Sequence, residues 1–215
     1  MPLTSGGQLT LEKTPNYFVA ADVPQRIHNM SRDVRLLVVV RDPVTRALSD
    51  FTQAQSKRRR RHSDLRHAER RSSFERRAFK DDDRHVVDTS WSAISIGLYD
   101  EHVRRWLDVF PRRQIHFVHG ERLISDPAGQ MLHVQTFLQL RPLVTQRHFY
   151  FNTTKGFPCL LRRSGTVNET VRCLGKTKGR LHPTVDDEAL KRLRDFYRPH
   201  NEQFYALTGI NLSWD

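Results

Sequence analysis

Apolar residues fall along this chain in short blocks separated by polar stretches, and the densest block is Leu36-Leu37-Val38-Val39-Val40. Such a run predicts an interior strand of a parallel sheet, and Pro43 suits the first turn of a helix reaching about Ser56. A short helix is predicted over 24–30. From 92 to 109, Ile94, Leu98, Val103, Trp106 and Leu107 recur near helical spacing and predict one core-packed helix ending before Pro111. Residues 114–118 alternate as a short strand. Asp126 is placed to cap a helix with Pro127 in its first turn, and Met131, Val134, Phe137 and Leu138 supply its buried face. Residues 185–207 carry Leu190, Leu193, Phe196, Tyr197 and Phe204 and predict a final helix broken near Pro199. Strands alternating with helices predict a three-layer α/β fold with a central parallel sheet.

Between the first helix-forming run and residue 92 the periodicity disappears. Lys57-Arg58-Arg59-Arg60-Arg61 opens a low-complexity basic stretch to Arg77, and 57–87 reads as a basic, mobile insertion in which like charges repel and little is buried. The 215 residues otherwise suit a single domain, 1–215, with a sizeable core. With 36 Lys+Arg against 24 Asp+Glu the formal charge is +12, which favours a polyanionic partner without choosing among nucleic acid, acidic membrane and sulfated polysaccharide. An arginine-driven nucleic-acid binder is the weakest of these, because the chain carries no recognisable reading motif.

Cys159 and Cys173 are the two cysteines. Reduced thiols or half of a metal site are the alternatives, but without a Cys-x-x-Cys or a companion pair a disulfide-closed loop is the better reading, and no metal is expected. Closing a loop of this size contributes about 3 kcal/mol and requires an oxidising compartment. Asn-x-Ser/Thr sequons at Asn29, Asn152, Asn168 and Asn211 agree with a secretory glycoprotein. No apolar run approaches the roughly 20 residues of a membrane helix, and the first residues lack a signal-peptide core. An entry signal is therefore expected in a segment preceding this sequence.

Two places carry candidate chemistry. Arg41 leaves the carboxyl end of the predicted strand beside a helix start, and Ser49 lies about two helical turns further on, so guanidinium and hydroxyl could grip one anion. Gly175-Lys176-Thr177-Lys178-Gly179-Arg180-Leu181-His182-Pro183 is a second anion-binding candidate, with glycines for close backbone approach and cationic donors around them.

Taken together, Glu12-Lys13-Thr14-Pro15-Asn16-Tyr17-Phe18, Val38-Val39-Val40-Arg41-Asp42-Pro43-Val44-Thr45-Arg46-Ala47, Asp88-Thr89-Ser90-Trp91-Ser92-Ala93-Ile94, Gly120-Glu121-Arg122-Leu123-Ile124-Ser125-Asp126-Pro127, His148-Phe149-Tyr150-Phe151-Asn152, Lys155-Gly156-Phe157-Pro158-Cys159 and Cys173-Leu174-Gly175-Lys176-Thr177-Lys178-Gly179-Arg180 resemble, in order, the heparan sulfate glucosamine 3-O-sulfotransferases. The resemblance spans nearly the whole chain except 56–87. It implies a sulfotransferase or P-loop-like fold and transfer of a sulfuryl group from 3'-phosphoadenosine 5'-phosphosulfate to a glucosamine 3-hydroxyl of heparan sulfate. It also implies a Golgi-lumenal, type II membrane setting, with the anchor upstream of this sequence.

By the same resemblance Arg41 and Ser49 hold the donor's 3'-phosphate, and Lys178, Gly179, Arg180, Leu181 and His182 belong to a loop closing over the donor. Lys13, Thr14, Pro15, Asn16, Gln53, Lys57, Trp91 and Ser92 line the polysaccharide cleft; Trp91 has an alternative as a core aromatic. The family's N-terminal strand, Lys/Gly-rich phosphosulfate loop and catalytic glutamate have no counterpart in the first residues. Glu12, His119 and Glu121 match no catalytic position and read as structural groups. The catalytic residues are thus unassigned and the chain as written is expected to be inactive; the competing expectation is a noncatalytic heparan sulfate or heparin binder.

Overall fold

A computed structural model describes residues 5, 7–61, 73–80, 86–163, 169–175 and 182–214. Helix α1 (Val23–Met30) leads into strand β1 (Leu36–Val40), which feeds α2 (Pro43–Arg61). The short α3 (Phe74–Ala78) and α4 (Ser92–Ser95) precede α5 (Tyr99–Leu107), and β2 (Ile115–His119) follows. After it come α6 (Gly120–Ser125), α7 (Pro127–Phe137), strands β3 (Phe149–Asn152), β4 (Phe157–Arg163) and β5 (Glu169–Arg172), and the long α8 (Asp187–Thr208).

Strands β1 and β2 pair in parallel, Leu36 against Ile115 through Val40 against His119. Because side chains alternate across a strand, Leu36, Val38, Val40, Ile115 and Phe117 face α5 and α8, where Tyr99, Val103, Trp106 and Phe204, with Trp214 from the segment after α8, complete one core cluster. On the opposite face His116 stacks on Phe137 of α7. Helices thus cover both faces of the parallel pair, giving the expected layered α/β arrangement. A second cluster joins Val44, Ala47, Leu48 and Phe51 of α2 to Phe74, Ala78, Ile94, Leu193 and Tyr197, so α8 spans both.

Four readings of the sequence need correction. Among the described residues β1 pairs with β2 alone, and Val39 is 62% exposed, so β1 is not enclosed as an interior strand would be. The run 92–109 is two helices: a Cβ on Gly97 would meet the Tyr197 hydroxyl at 2.8 Å, and the chain turns there beneath the tyrosine that donates to the Ile94 carbonyl at 2.8 Å. α8 is continuous through Pro199, because its buried face of Leu193, Tyr197, Asn201 and Phe204 runs past the proline and outweighs one missing ladder bond. The basic stretch is not uniformly an exposed loop: Lys57 and Arg58 prolong α2, while Phe74, Ala78 and Phe79 are buried. Residues 62–72 and 81–85 of that stretch, and Asn168, lie outside the described residues.

The antiparallel sheet β3–β4–β5 has no counterpart among the predicted strands. Cys159, 2% exposed, and Cys173 are bonded beside the β4–β5 pairing, with Cα atoms 4.4 Å apart. Among the described residues no helix is long and apolar enough to cross a membrane, and no three His, Cys, Asp or Glu side chains converge to hold a metal ion.

Candidate functional site

Parallel pairing brings the carboxyl ends of β1 and β2 side by side, and with them Arg41 and the turn His119-Gly120-Glu121. The Arg41 backbone is pinned by Tyr99, whose hydroxyl donates to the Arg41 carbonyl at 2.9 Å and accepts from its N–H at 3.4 Å. Burial pushes the Tyr99 hydroxyl up to about 12, so it stays a protonated donor. The Asp42 carboxylate accepts from the Thr45 N–H at 2.6 Å and shapes the entry to α2.

From this base the guanidinium extends, one-third exposed, and donates through Nη1 to Ser49 Oγ at 3.3 Å. Ser49 sits on the same face of α2 two turns on, and its Oγ lies 2.9 Å from Nε2 of His182. Burial, then the charge of Arg41, holds the His182 imidazole below its ordinary range, as expected for a ring beside a guanidinium. Arg41 and Ser49, eight residues apart, thus meet His182, 133 residues beyond Ser49, at one partly exposed point beside a helix start, a set that fits a tetrahedral oxyanion.

A fourth group was not assigned to this site from the sequence. Glu121 Oε1 accepts from the Asp42 N–H at 3.0 Å and lies 3.4 Å from Arg41 Nε, within ion-pair reach but off the hydrogen-bond line. Its Oε2 is 3.0 Å from His119 Nδ1. The signal was a glycine followed by an acid at the end of a strand, the mirror of the arginine at the end of the other. Glu121 is half-buried beside the anion site.

A model of the sulfotransferase domain matches residues 13–208. The chain belongs to the sulfotransferase domain family. Over all 215 residues the chain is 54% identical to heparan sulfate glucosamine 3-O-sulfotransferase 3B1 of Homo sapiens, covering 52% of that protein. It is 51% identical to heparan sulfate glucosamine 3-O-sulfotransferase 6 of Mus musculus, covering 59% of it. The chain therefore spans little more than half the length of the curated relatives it matches. A sulfotransferase structure from Alicyclobacillus acidocaldarius superposes with a TM-score of 0.60 at 20% identity, covering 92% of this chain and 64% of that one, which supports the fold.

The remaining expected site residues of the chain are dispersed. Lys13, Thr14, Pro15 and Asn16 are exposed, and Thr14 Oγ1 donates to Glu12 at 2.7 Å. The 3-10 turn Pro15–Phe18 that carries Pro15 and Asn16 is moored to α5, where Trp106 Nε1 donates to the Phe18 carbonyl at 3.0 Å and Arg105 to the Val19 carbonyl at 3.3 Å. Gln53 and the exposed Lys57 lie one turn apart on α2. Ser92 opens α4, and Trp91 packs edge-on to Phe51 and Phe74 beneath the Arg77 guanidinium, half-buried against the core. Lys178, Gly179, Arg180 and Leu181 lie outside the described residues. Their flanks are described: the disulfide with Lys155 donating to the Leu174 carbonyl at 3.1 Å on one side, and His182 against Ser49 on the other.

Proposed function

We propose that this chain is the part of a heparan sulfate glucosamine 3-O-sulfotransferase that grips the 3'-phosphate of 3'-phosphoadenosine 5'-phosphosulfate and seats the polysaccharide. The observation that carries this is the convergence of Arg41, Ser49 and His182 at one point. Guanidinium, hydroxyl and imidazole together satisfy several phosphate oxygens, and the planar fork of arginine suits that geometry better than a point charge. In the reaction the acceptor hydroxyl oxygen bonds to sulfur, the bond from sulfur to the 5'-phosphate oxygen breaks, and the acceptor proton passes to a base. Held at its far end, the donor keeps its sulfuryl group aligned for that displacement.

Exposed Lys13, Lys57 and the formal charge of +12 supply the field that draws in a sulfated chain. The disulfide fits an oxidising, lumenal setting, which supports the reading of a Golgi-lumenal protein. Lys178, Gly179, Arg180 and Leu181 are proposed to reach the donor from the loop that His182 closes.

A second reading is noncatalytic heparan sulfate binding by the 215-residue chain on its own. It is favoured by the engagement of the acids around Arg41: Glu121 is held by Asp42 and His119, and Asp42 by Thr45. Incubating the chain with radiolabelled sulfate donor and heparan sulfate, beside heparin-affinity chromatography, separates the readings. Label on the glucosamine 3-hydroxyl supports catalysis by the chain itself. Heparin retention without transfer supports the binder, and neither donor binding nor heparin retention would overturn both.

A further inference from the structure

The turn His119-Gly120-Glu121 sits at the base of Arg41, on the Nε side of a guanidinium whose Nη1 meets Ser49. We infer that Glu121 is a positioning residue that aims the Arg41 guanidinium, and so sets the preference for a nucleotide bearing a 3'-phosphate. The inference rests on the donor-site reading above.

An arginine leaving a strand end has several rotatable bonds, and a one-third exposed guanidinium is free to swing into water unless one edge is held. Here the Nε edge faces Glu121 Oε1, which leaves Nη1 directed at Ser49. The carboxylate is itself fixed: the Asp42 N–H occupies Oε1 and His119 Nδ1 approaches Oε2. The His119 N–H in turn donates to Gln130 Oε1 at 3.1 Å, tying this turn to α7. The Asp42, His119 and Gln130 contacts span 3.0–3.1 Å, and the Arg41 Nε approach is longer at 3.4 Å.

A carboxylate near an anion site carries a cost, since it opposes the ligand's charge. Glu121 lies on the far edge of the guanidinium, and both groups are about one-third exposed, so solvent and salt weaken that opposition. The gain is an aligned, charge-assisted fork, which depends on angle as well as distance. Alignment therefore outweighs repulsion, and Glu121 acts on Arg41 through a fixed negative charge 3.4 Å from Nε, off the hydrogen-bond line.

The test uses the 215-residue chain and calorimetric titration with adenosine 3',5'-bisphosphate and with adenosine 5'-monophosphate. Glu121→Ala is expected to lose about tenfold of the preference for the bisphosphate while binding the monophosphate as before. Glu121→Gln keeps the acceptor for the Asp42 N–H but loses the charge facing Arg41 Nε, so it is expected to keep the fold and still lose part of the preference. If Glu121→Ala does not fold, Glu121→Met, which fills the space without an acceptor, is read in its place. An unchanged preference in the variant lacking the carboxylate overturns the inference alone. A wild-type chain with no preference for the 3'-phosphate overturns the donor-site reading and this inference with it.

Discussion

A Cβ placed on Gly120 would stand 2.8 Å from the carbonyl oxygen of Val40 and 3.3 Å from the Cβ of Arg41, so the ends of the two parallel strands touch nearly backbone to backbone. Any side chain at this position must push the turn outward, and the atom it meets is backbone, which does not yield cheaply. Gly120→Ala is expected to destabilise the fold by about 1–3 kcal/mol, as overpacking does. It should also weaken adenosine 3',5'-bisphosphate binding by retracting Glu121 from Arg41. Urea unfolding and calorimetric titration measure the two effects separately, and a variant as stable as wild type would refute the close approach.

Arg41 is expected to be irreplaceable by lysine. An ammonium keeps the charge but not the two-edged fork that meets Glu121 on one side and Ser49 on the other. Arg41→Lys should lower bisphosphate affinity by about tenfold or more, close to the loss in Arg41→Ala. Full retention of affinity in the lysine variant would show that point charge alone suffices.

The Cys159–Cys173 bond closes a loop with a sequence separation of 14. Removing it as the paired Cys159→Ser and Cys173→Ser variant is expected to cost about 3 kcal/mol of stability. The loss should be felt first in β3–β5 and on the segment leading to His182. Amide exchange should accelerate at Thr170, Val171 and Arg172 before it does so in β1 and β2; uniform acceleration across both sheets would contradict this.

Acid should loosen the mooring of the Pro15–Phe18 turn. His102 is held below its ordinary 6.5 chiefly by burial, against a raising contribution from its bond to the Ser95 carbonyl and from Glu101 and Asp100, while Arg105 lowers it further. Its Nε2 donates to Ser95 at 2.9 Å and its Nδ1 accepts from Arg105, so the folded state needs the neutral ring. The unfolded chain then binds more protons than the native one below pH 6.5, and stability falls as pH drops through and below that value. Melting temperature is expected to hold from pH 8 to about pH 7 and decline toward pH 5, with a shallower decline in His102→Gln, whose amide offers one donor and one acceptor without titrating. Parallel slopes in the two proteins would assign the decline to other groups.

The periodic parts of the chain read correctly from sequence because one face of each is buried. β1, α2, β2 and the Asp126-capped α7 fall within a few residues of their predicted bounds. Burial overrode local signals elsewhere. Pro199 reads as a break, yet a continuous apolar face carries α8 past it; Ser92 to Val109 reads as one helix, yet Tyr197 occupies the space a straight helix at Gly97 would need. Arginine content hid Phe74 and Phe79, whose burial depends on α2 and α8 and not on their own neighbours. At the site, Arg41 and Ser49 were legible because helical spacing joins them; His182 stood in a separate anion-binding candidate, and the resemblance tied the two to one donor. Glu121 was not, because its approach to Arg41 is set by strand pairing between residues 79 apart.

Strand register gives the anion site and the core a common origin. Val40 faces His119, which places Arg41 and Gly120 at the same height. A slip of β1 by a single residue would expose Leu36, Val38 and Val40, bury the opposite set, and turn Arg41 away from Ser49 and Glu121 at once. The apolar pattern of a five-residue strand therefore aims a charged side chain that lies outside it. Substitutions that relax the packing of Val40 should blunt anion recognition without touching a single polar atom.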